Sequence, residues 1–72
     1  MKVKLINGMM FQSITGKDGE FTIRKYDYYG DNNPIWCAFT EKSIYPLDEI
    51  SLSDYIPKVN GLWINEKNEY IY

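Results

Sequence analysis

The sequence is organised around the stretch from Phe21 to Phe39, where two runs of aromatic and β-branched residues flank the connection Gly-Asp-Asn-Asn-Pro at 30–34. Runs of this kind, separated by turn-forming residues, are typical of two β-strands joined by a turn. The stretch therefore predicts the centre of a small sheet. Its aromatic residues are Phe21, Tyr26, Tyr28, Tyr29, Trp36 and Phe39.

The chain has 72 residues and lacks the paired cysteines and the histidines that cross-link many folds of this size. Cys37 is its only cysteine, which excludes an internal disulfide, and the lack of histidine removes a usual ligand of structural zinc. A chain this short buries only about 60% of the surface that its unfolded form exposes. We therefore expect one domain over residues 1–72 whose core is built from large rings, unless a partner or second copy contributes.

The N-terminal residues predict a hairpin. Residues 2–5 alternate polar and apolar, and Asn7-Gly8 is the strongest short signal for a hairpin turn. The return strand would cover residues 9–15, with Phe11 and Ile14 buried. Because these two positions differ in parity, the pattern also predicts a bulge.

The central strands show a change of apolar phase. In the third strand the apolar positions begin at Phe21 and Ile23 and then move to Tyr26, which predicts a bulge or bend near 24–25. The fourth strand, 35–39, is apolar on both faces and is expected to be the most buried. A turn at 16–19 would connect the second and third strands.

The segment 44–52 has two interpretations. As a strand it must lie at a sheet edge, because Pro46 cannot donate to the ladder; as a helix it would begin at Pro46. We favour the edge strand, followed by a short helical turn near 53–56. Pro57 is expected to end whatever precedes it.

A second Asn-Gly pair, at 60–61, predicts another turn, and residues 62–65 and 69–72 look like a terminal hairpin. The whole pattern gives five to seven short strands with closely spaced turns. It predicts a mainly β fold, a small antiparallel meander or barrel that is SH3-like or OB-like.

Catalytic, metal and cofactor functions find little support in the sequence. Histidine, the commonest general base, is absent, and Cys37 lies in an apolar run where burial disfavours the thiolate. Asp27, Asp31 and Asn33 surround one turn but lack the spacing of a calcium loop. The other carboxylates fit solvated loops, and no glycine-rich phosphate loop is present. We expect a protein without enzymatic activity, metal or cofactor.

The charge and the N-terminus limit location and partners. A formal net charge of −2 argues against non-specific binding to a phosphate backbone. The first residues resemble no signal peptide, and no stretch approaches the roughly 18 apolar residues of a membrane helix. Together with a lone thiol, these features predict an intracellular, cytoplasmic protein.

Two clusters have the composition of protein-binding surfaces. The first combines tyrosines with Asp, Asn and Gly at 26–33; in the alternative interpretation its tyrosines are core rings beside an ordinary turn. The second combines acidic residues and tyrosines at 45–55, and its alternative is a solvated edge. The candidate partner-binding residues are Tyr26, Tyr28, Tyr29, Asp31, Asp48, Glu49, Asp54 and Tyr55.

These features favour a non-catalytic protein-binding module that acts on a larger protein, such as one that handles nucleic acids. Residue usage rich in Lys, Asn, Ile and Tyr is typical of AT-rich bacterial or phage genomes. An inhibitor encoded by a phage or mobile element, of the anti-CRISPR or anti-defence type, fits that setting. A nucleic-acid-binding small barrel and a structural homo-oligomer subunit are the alternatives.

Overall fold

The computed structural model describes residues 1–16 and 19–72, and their regular structure consists of eight short strands and two 3-10 turns. In chain order these elements are β1 (Lys2–Lys4), β2 (Met10–Ser13), β3 (Glu20–Tyr26), β4 (Ile35–Phe39), β5 (Ile44–Pro46), the 3-10 turns Leu47–Glu49 and Leu52–Asp54, β6 (Tyr55–Val59), β7 (Leu62–Trp63) and β8 (Glu69–Ile71). The predicted turn at 16–19 includes two residues that lie outside the described part of the chain.

Six strands form one antiparallel sheet in the order β5-β4-β3-β2-β6-β7, and β1 and β8 form a separate two-stranded parallel sheet. The prediction of a mainly β, antiparallel fold is confirmed. The sheet is open and does not close into a barrel, because β5 and β7 lie at its two edges. Among the described residues no helix is long and apolar enough to cross a membrane.

The predicted N-terminal hairpin is wrong. β1 pairs with β8 in parallel, with Lys2 opposite Glu69 and Val3 opposite Tyr70. The predicted terminal hairpin is also wrong, because β8 pairs with β1 and not with β7. Turn residues encode the local reversal of the chain, but they do not encode which distant strand a short segment will join.

The turn at Asn7-Gly8 leads into a bulge instead. Gly8 has φ +90°, and its N–H donates to the carbonyl of Ile23 at 2.7 Å. The N–H of Ile23 donates in turn to the carbonyl of Met9 at 3.0 Å. Gly8 and Met9 thus lie opposite the single residue Ile23. This is the arrangement of a β-bulge whose first residue is a glycine with positive φ. The Asn7 Oδ1 then accepts the N–H of Lys25 at 2.8 Å, which extends the ladder past the bulge.

The bulge predicted near 24–25 is therefore misplaced. β3 pairs with β4 without interruption, from Thr22 opposite Phe39 to Tyr26 opposite Ile35. Tyr26 belongs to the outer face of the sheet, where its ring meets the edge of Phe39 at 5.5 Å between centroids. Tyr26 is out of phase with Phe21 and Ile23 because it pairs with Phe39 on the outer face of the sheet. The strand contains no extra residue at this point.

Pro57 lies inside β6, opposite Phe11, and does not end the structure before it. Its carbonyl accepts the N–H of Ile64 at 2.9 Å on the side of β7. Since the N and C=O of one strand residue point to the same side, the missing N–H of Pro57 also faces β7. The ladder to β2 loses no donor. Asn60 and Gly61, both with positive φ, form the turn between β6 and β7.

The segment 44–52 combines the two interpretations of its sequence. β5 is a three-residue strand at the edge of the sheet, and Pro46 lies there opposite Cys37, as the edge-strand interpretation predicts. The 3-10 turn Leu47–Glu49 follows directly. The helical turn predicted near 53–56 is Leu52–Asp54, about one residue earlier.

The core centres on Phe11, which is fully buried in β2. Its ring stacks on Phe21 with centroids 5.4 Å apart and meets Tyr70 of β8 at 5.7 Å. Ser13 shares the buried face of Phe11, whereas Ile14 is 52% exposed. The predicted burial of Ile14 is wrong, because strict alternation along β2 outweighs the preference of one apolar side chain.

We predict that Phe11→Ala lowers the free energy of unfolding by about 3–5 kcal/mol, because it leaves a cavity between two rings. That loss approaches the roughly 5 kcal/mol expected of a marginally stable small domain, so the variant should be largely unfolded. Urea denaturation followed by circular dichroism measures the effect. Ile14→Ala is the control and should change stability by no more than about 0.5 kcal/mol. Equal effects of the two substitutions would contradict this account of the core.

Candidate protein-binding site

The loop between β3 and β4 is held by its own acidic side chains. The Asp27 Oδ2 accepts the N–H of Asn32 at 3.3 Å, and the Asp31 Oδ1 accepts the N–H of Asn33 at 3.1 Å. Gly30 and Asn32 have φ of 72° and 60°, which Gly and Asn adopt more readily than other residues. Asp31, a candidate partner-binding residue, therefore serves as a turn acceptor while remaining exposed.

The tyrosines near this loop divide into two groups. Tyr28 and Tyr29 form an edge-to-face pair with ring centroids 5.1 Å apart, and Tyr29 is 62% exposed. Tyr26 is also exposed, but its ring is supported by Phe39 on the outer face of the sheet. Tyr28 and Tyr29 are thus two exposed rings of this loop that contact each other.

Asp48 and Glu49 are exposed on the first 3-10 turn, whose first residue, Leu47, is anchored in the core. Their charges reach the tyrosine pair. Partial desolvation of the hydroxyl, and then the negative charges of Asp48 and Glu49, raise the pKa of Tyr29 above its ordinary value. The two clusters that the sequence indicated separately are therefore linked electrostatically through Tyr29.

Asp48 and Glu49 are not held in ion pairs by the described part of the chain. Within residues 1–16 and 19–72, no lysine or arginine forms a salt bridge with Asp48 or Glu49. The Nζ of Lys25 lies 5.2 Å from the centroid of the Trp36 ring. Trp36 is the residue opposite Lys25 on the neighbouring strand. The surface around the tyrosine pair thus keeps a local negative charge.

Asp54 and Tyr55 lie further along the chain, at the start of β6. The Tyr55 ring meets the edge of Phe21 at 4.9 Å and is half-buried, so it supports the core. Asp54 is exposed, and its backbone carbonyl accepts the N–H of Ile14 at 3.1 Å. Tyr55 also lines a shallow groove that includes Glu49. A binding role for Asp54 and Tyr55 stays a prediction.

A groove of about 270 Å³ opens beside Asp48, and the sequence patterns did not reveal it. Lys25 and Trp36, which both line the groove, lie opposite each other on β3 and β4. This pairing depends on the register of the two strands. The buried indole Nε1 of Trp36 has no hydrogen-bond partner in the described part of the chain. The groove is lined by Lys25, Pro34, Ile35, Trp36, Leu47, Asp48 and Tyr72.

The lone thiol has a structural environment. Cys37 is fully buried in β4, and its Sγ–H donates to the carbonyl of Ile35 at 3.6 Å. Burial, and then the charge of Asp48, raise the pKa of the Cys37 thiol. Among the described residues, no three His, Cys, Asp or Glu side chains are grouped so that they could hold a metal ion.

No protein-family model, curated protein or solved structure matches the chain. The site is therefore defined by its own geometry: two exposed rings and two carboxylates without a salt-bridge partner among the described residues. We call this set the tyrosine–acid surface; its members are Tyr28, Tyr29, Asp48 and Glu49.

We predict that the double substitution Asp48→Asn and Glu49→Gln lowers the pKa of Tyr29. The two carboxylates disfavour the tyrosinate anion, so removing their charges favours ionisation, while the contribution of desolvation remains. Titration of the Tyr29 ring carbon signals by NMR measures the change. Asp54→Asn is the matched control and should leave the titration unchanged. An unaltered Tyr29 titration in the double variant would place the two acids too far from the ring.

We also predict that Cys37 reacts slowly with Ellman's reagent in the native protein. Its burial and raised pKa leave little accessible thiolate, so the reaction should be about 100-fold or more slower than in denaturant. Absorbance at the wavelength of the released thionitrobenzoate follows the reaction. Equal rates in the two conditions would show that β4 opens freely.

Proposed function

We propose that the protein is a non-catalytic protein-binding module that docks on a larger partner through the tyrosine–acid surface. The observation that carries this proposal is the exposed pair of Tyr28 and Tyr29 beside two carboxylates that no described lysine or arginine neutralises. Tyrosine supplies a large contact area and loses little conformational entropy on binding. Unpaired carboxylates at the rim give orientation and speed of association.

A partner that fits such a surface presents a positively charged patch or groove. Proteins that handle nucleic acids carry grooves of this kind, because they neutralise phosphate groups with Lys and Arg. A small acidic domain that occupies the groove would inhibit its owner. The version of the proposal that we favour is therefore a cytoplasmic inhibitor of the phage or mobile-element type, such as an anti-CRISPR or anti-defence protein. The formal net charge of −2 supports a partner of opposite sign.

Direct binding of nucleic acid has weaker support. Stacking on bases requires free rings near cations. Lys25 and Lys58 instead lie over the rings of Trp36 and Trp63, at 5.2 and 5.5 Å from their centroids. The most exposed tyrosine pair adjoins acidic side chains, which would repel phosphate groups.

A homo-oligomer built by edge-to-edge pairing also has weaker support. The edge strand β5 has three residues and contains Pro46, and the opposite edge strand β7 has two residues. Short edges and proline are features that discourage added strands. Sedimentation of the purified protein over a range of concentrations distinguishes an oligomer from a monomeric binder.

We predict that the immobilised protein captures a larger protein from a bacterial lysate, and that Tyr28→Ser with Tyr29→Ser weakens capture about tenfold or more. The double substitution Asp48→Asn with Glu49→Gln should weaken it as well, and the wild-type interaction should weaken as salt is raised. Quantitative mass spectrometry of the eluates measures each effect.

Glu41→Gln is the control, since it removes an exposed carboxylate that lies outside the surface and outside the candidate partner-binding residues. Circular dichroism establishes that each variant is folded. If both double variants capture the partner as well as the wild type does, docking through the tyrosine–acid surface is wrong.

A further inference from the structure

The groove beside Asp48 shares that residue with the tyrosine–acid surface, since Asp48 lines the groove and its charge acts on Tyr29. Its lining is mainly apolar and includes Pro34, Ile35, Trp36 and Leu47. An anionic surface with exposed rings thus leads directly into an apolar groove. The combination defines a partner more narrowly than either part does.

We propose that the groove and the tyrosine–acid surface together bind an extended segment of a partner in which a single arginine neighbours an apolar residue. The arginine binds Asp48 and Glu49 beside the tyrosine rings, and the apolar side chain enters the groove. This inference rests on the proposed function and names the chemistry of the segment that the module recognises.

Arginine suits the acidic part of the site better than lysine does. Its planar guanidinium donates two parallel hydrogen bonds to a carboxylate and stacks on aromatic faces. Tyr29 is 62% exposed next to Asp48 and Glu49, so both kinds of contact are available to one side chain. A lysine ammonium would make the ionic contact without the planar stacking.

The groove limits the neighbouring residue. A volume of about 270 Å³ lies below the roughly 300–1,000 Å³ of pockets that hold drug-sized ligands, and it suits one large apolar side chain. Removing such a side chain from water stabilises the complex and so anchors a short segment. The apolar residue therefore supplies affinity, and the arginine supplies orientation.

Lys25 restricts the segment to one arginine. Its Nζ lies over the Trp36 ring, and the residue lines the groove together with Asp48. A second cation that entered the groove would meet the positive charge of Lys25. The groove is thus lined by one acidic and one basic side chain, which disfavours polybasic tracts and favours one arginine beside one apolar residue.

Titration of the isotope-labelled full chain with short capped peptides tests this inference. The probe is the amidated, acetylated peptide Gly-Arg-Leu-Gly, used in this order and with Arg and Leu exchanged, at up to about 5 mM. We expect shifts of the amide signals of Tyr29 and Asp48 and of the Trp36 indole N–H. Replacement of arginine by citrulline, which keeps the shape and removes the charge, should weaken binding about tenfold, as should replacement of leucine by serine.

Variants of the protein show which charged side chains interact with the peptide. With Asp48→Asn the arginine and citrulline peptides should bind about equally, whereas Glu41→Gln, at an exposed position outside the candidate residues, should keep the roughly tenfold preference. Lys25→Gln should strengthen binding of a peptide with arginine on both sides of the leucine, relative to the wild type. These substitutions are at exposed positions and leave the core unchanged.

The inference is overturned if the wild-type protein shows no shifts at about 5 mM peptide, if it binds arginine and citrulline peptides alike, or if the shifts centre away from Trp36 and Asp48. If this occurs while the Tyr28 and Tyr29 substitutions still abolish capture, the docking function stands and only the segment chemistry is wrong. If the peptides bind as expected but the Tyr28 and Tyr29 substitutions do not change partner capture, the groove binds peptides and the proposed docking surface is wrong.

Discussion

The structure depends on one ring, that of Phe11. It stacks on Phe21 of the neighbouring strand and contacts Tyr70 of β8, so it joins the six-stranded sheet to the two-stranded sheet. Its strand position also faces Pro57 in β6. In a chain whose only cysteine excludes an internal disulfide, contacts between large side chains have to provide the cohesion.

The same core positions the candidate site. Leu47 and Leu52 enter the hydrophobic cluster from the two 3-10 turns, and this fixes the connection between β5 and β6. Asp48 then lies outside the core, close to the loop between β3 and β4 that carries Tyr29. The long, regular ladder between β3 and β4 holds that loop in place. The tyrosine–acid surface is therefore a consequence of where two apolar anchors are buried.

Local sequence signals predicted what is local in this fold. They correctly indicated the central strand pair, the turn at Asn60-Gly61 and the edge position of Pro46. Three features depend on distant partners and were missed: the pairing of β1 with β8, the strand around Pro57, and the groove at Trp36. Pro57 fits its strand because its missing N–H faces away from β2, and no local pattern contains that orientation. The proximity of Tyr29 to Asp48 is likewise a tertiary feature, although each residue was a candidate from the sequence.

The parallel pairing of β1 with β8 has a kinetic consequence for biosynthesis. These strands lie near opposite ends of the sequence, so β1 gains its hydrogen-bonding partner only after the ribosome has made β8. Until then Val3 and Leu5, which are buried in the finished fold, remain accessible on the nascent chain. Pairing across so long a sequence separation is slow compared with the formation of a local hairpin. Until β8 has been synthesised, Val3 and Leu5 therefore offer molecular chaperones an apolar segment to recognise.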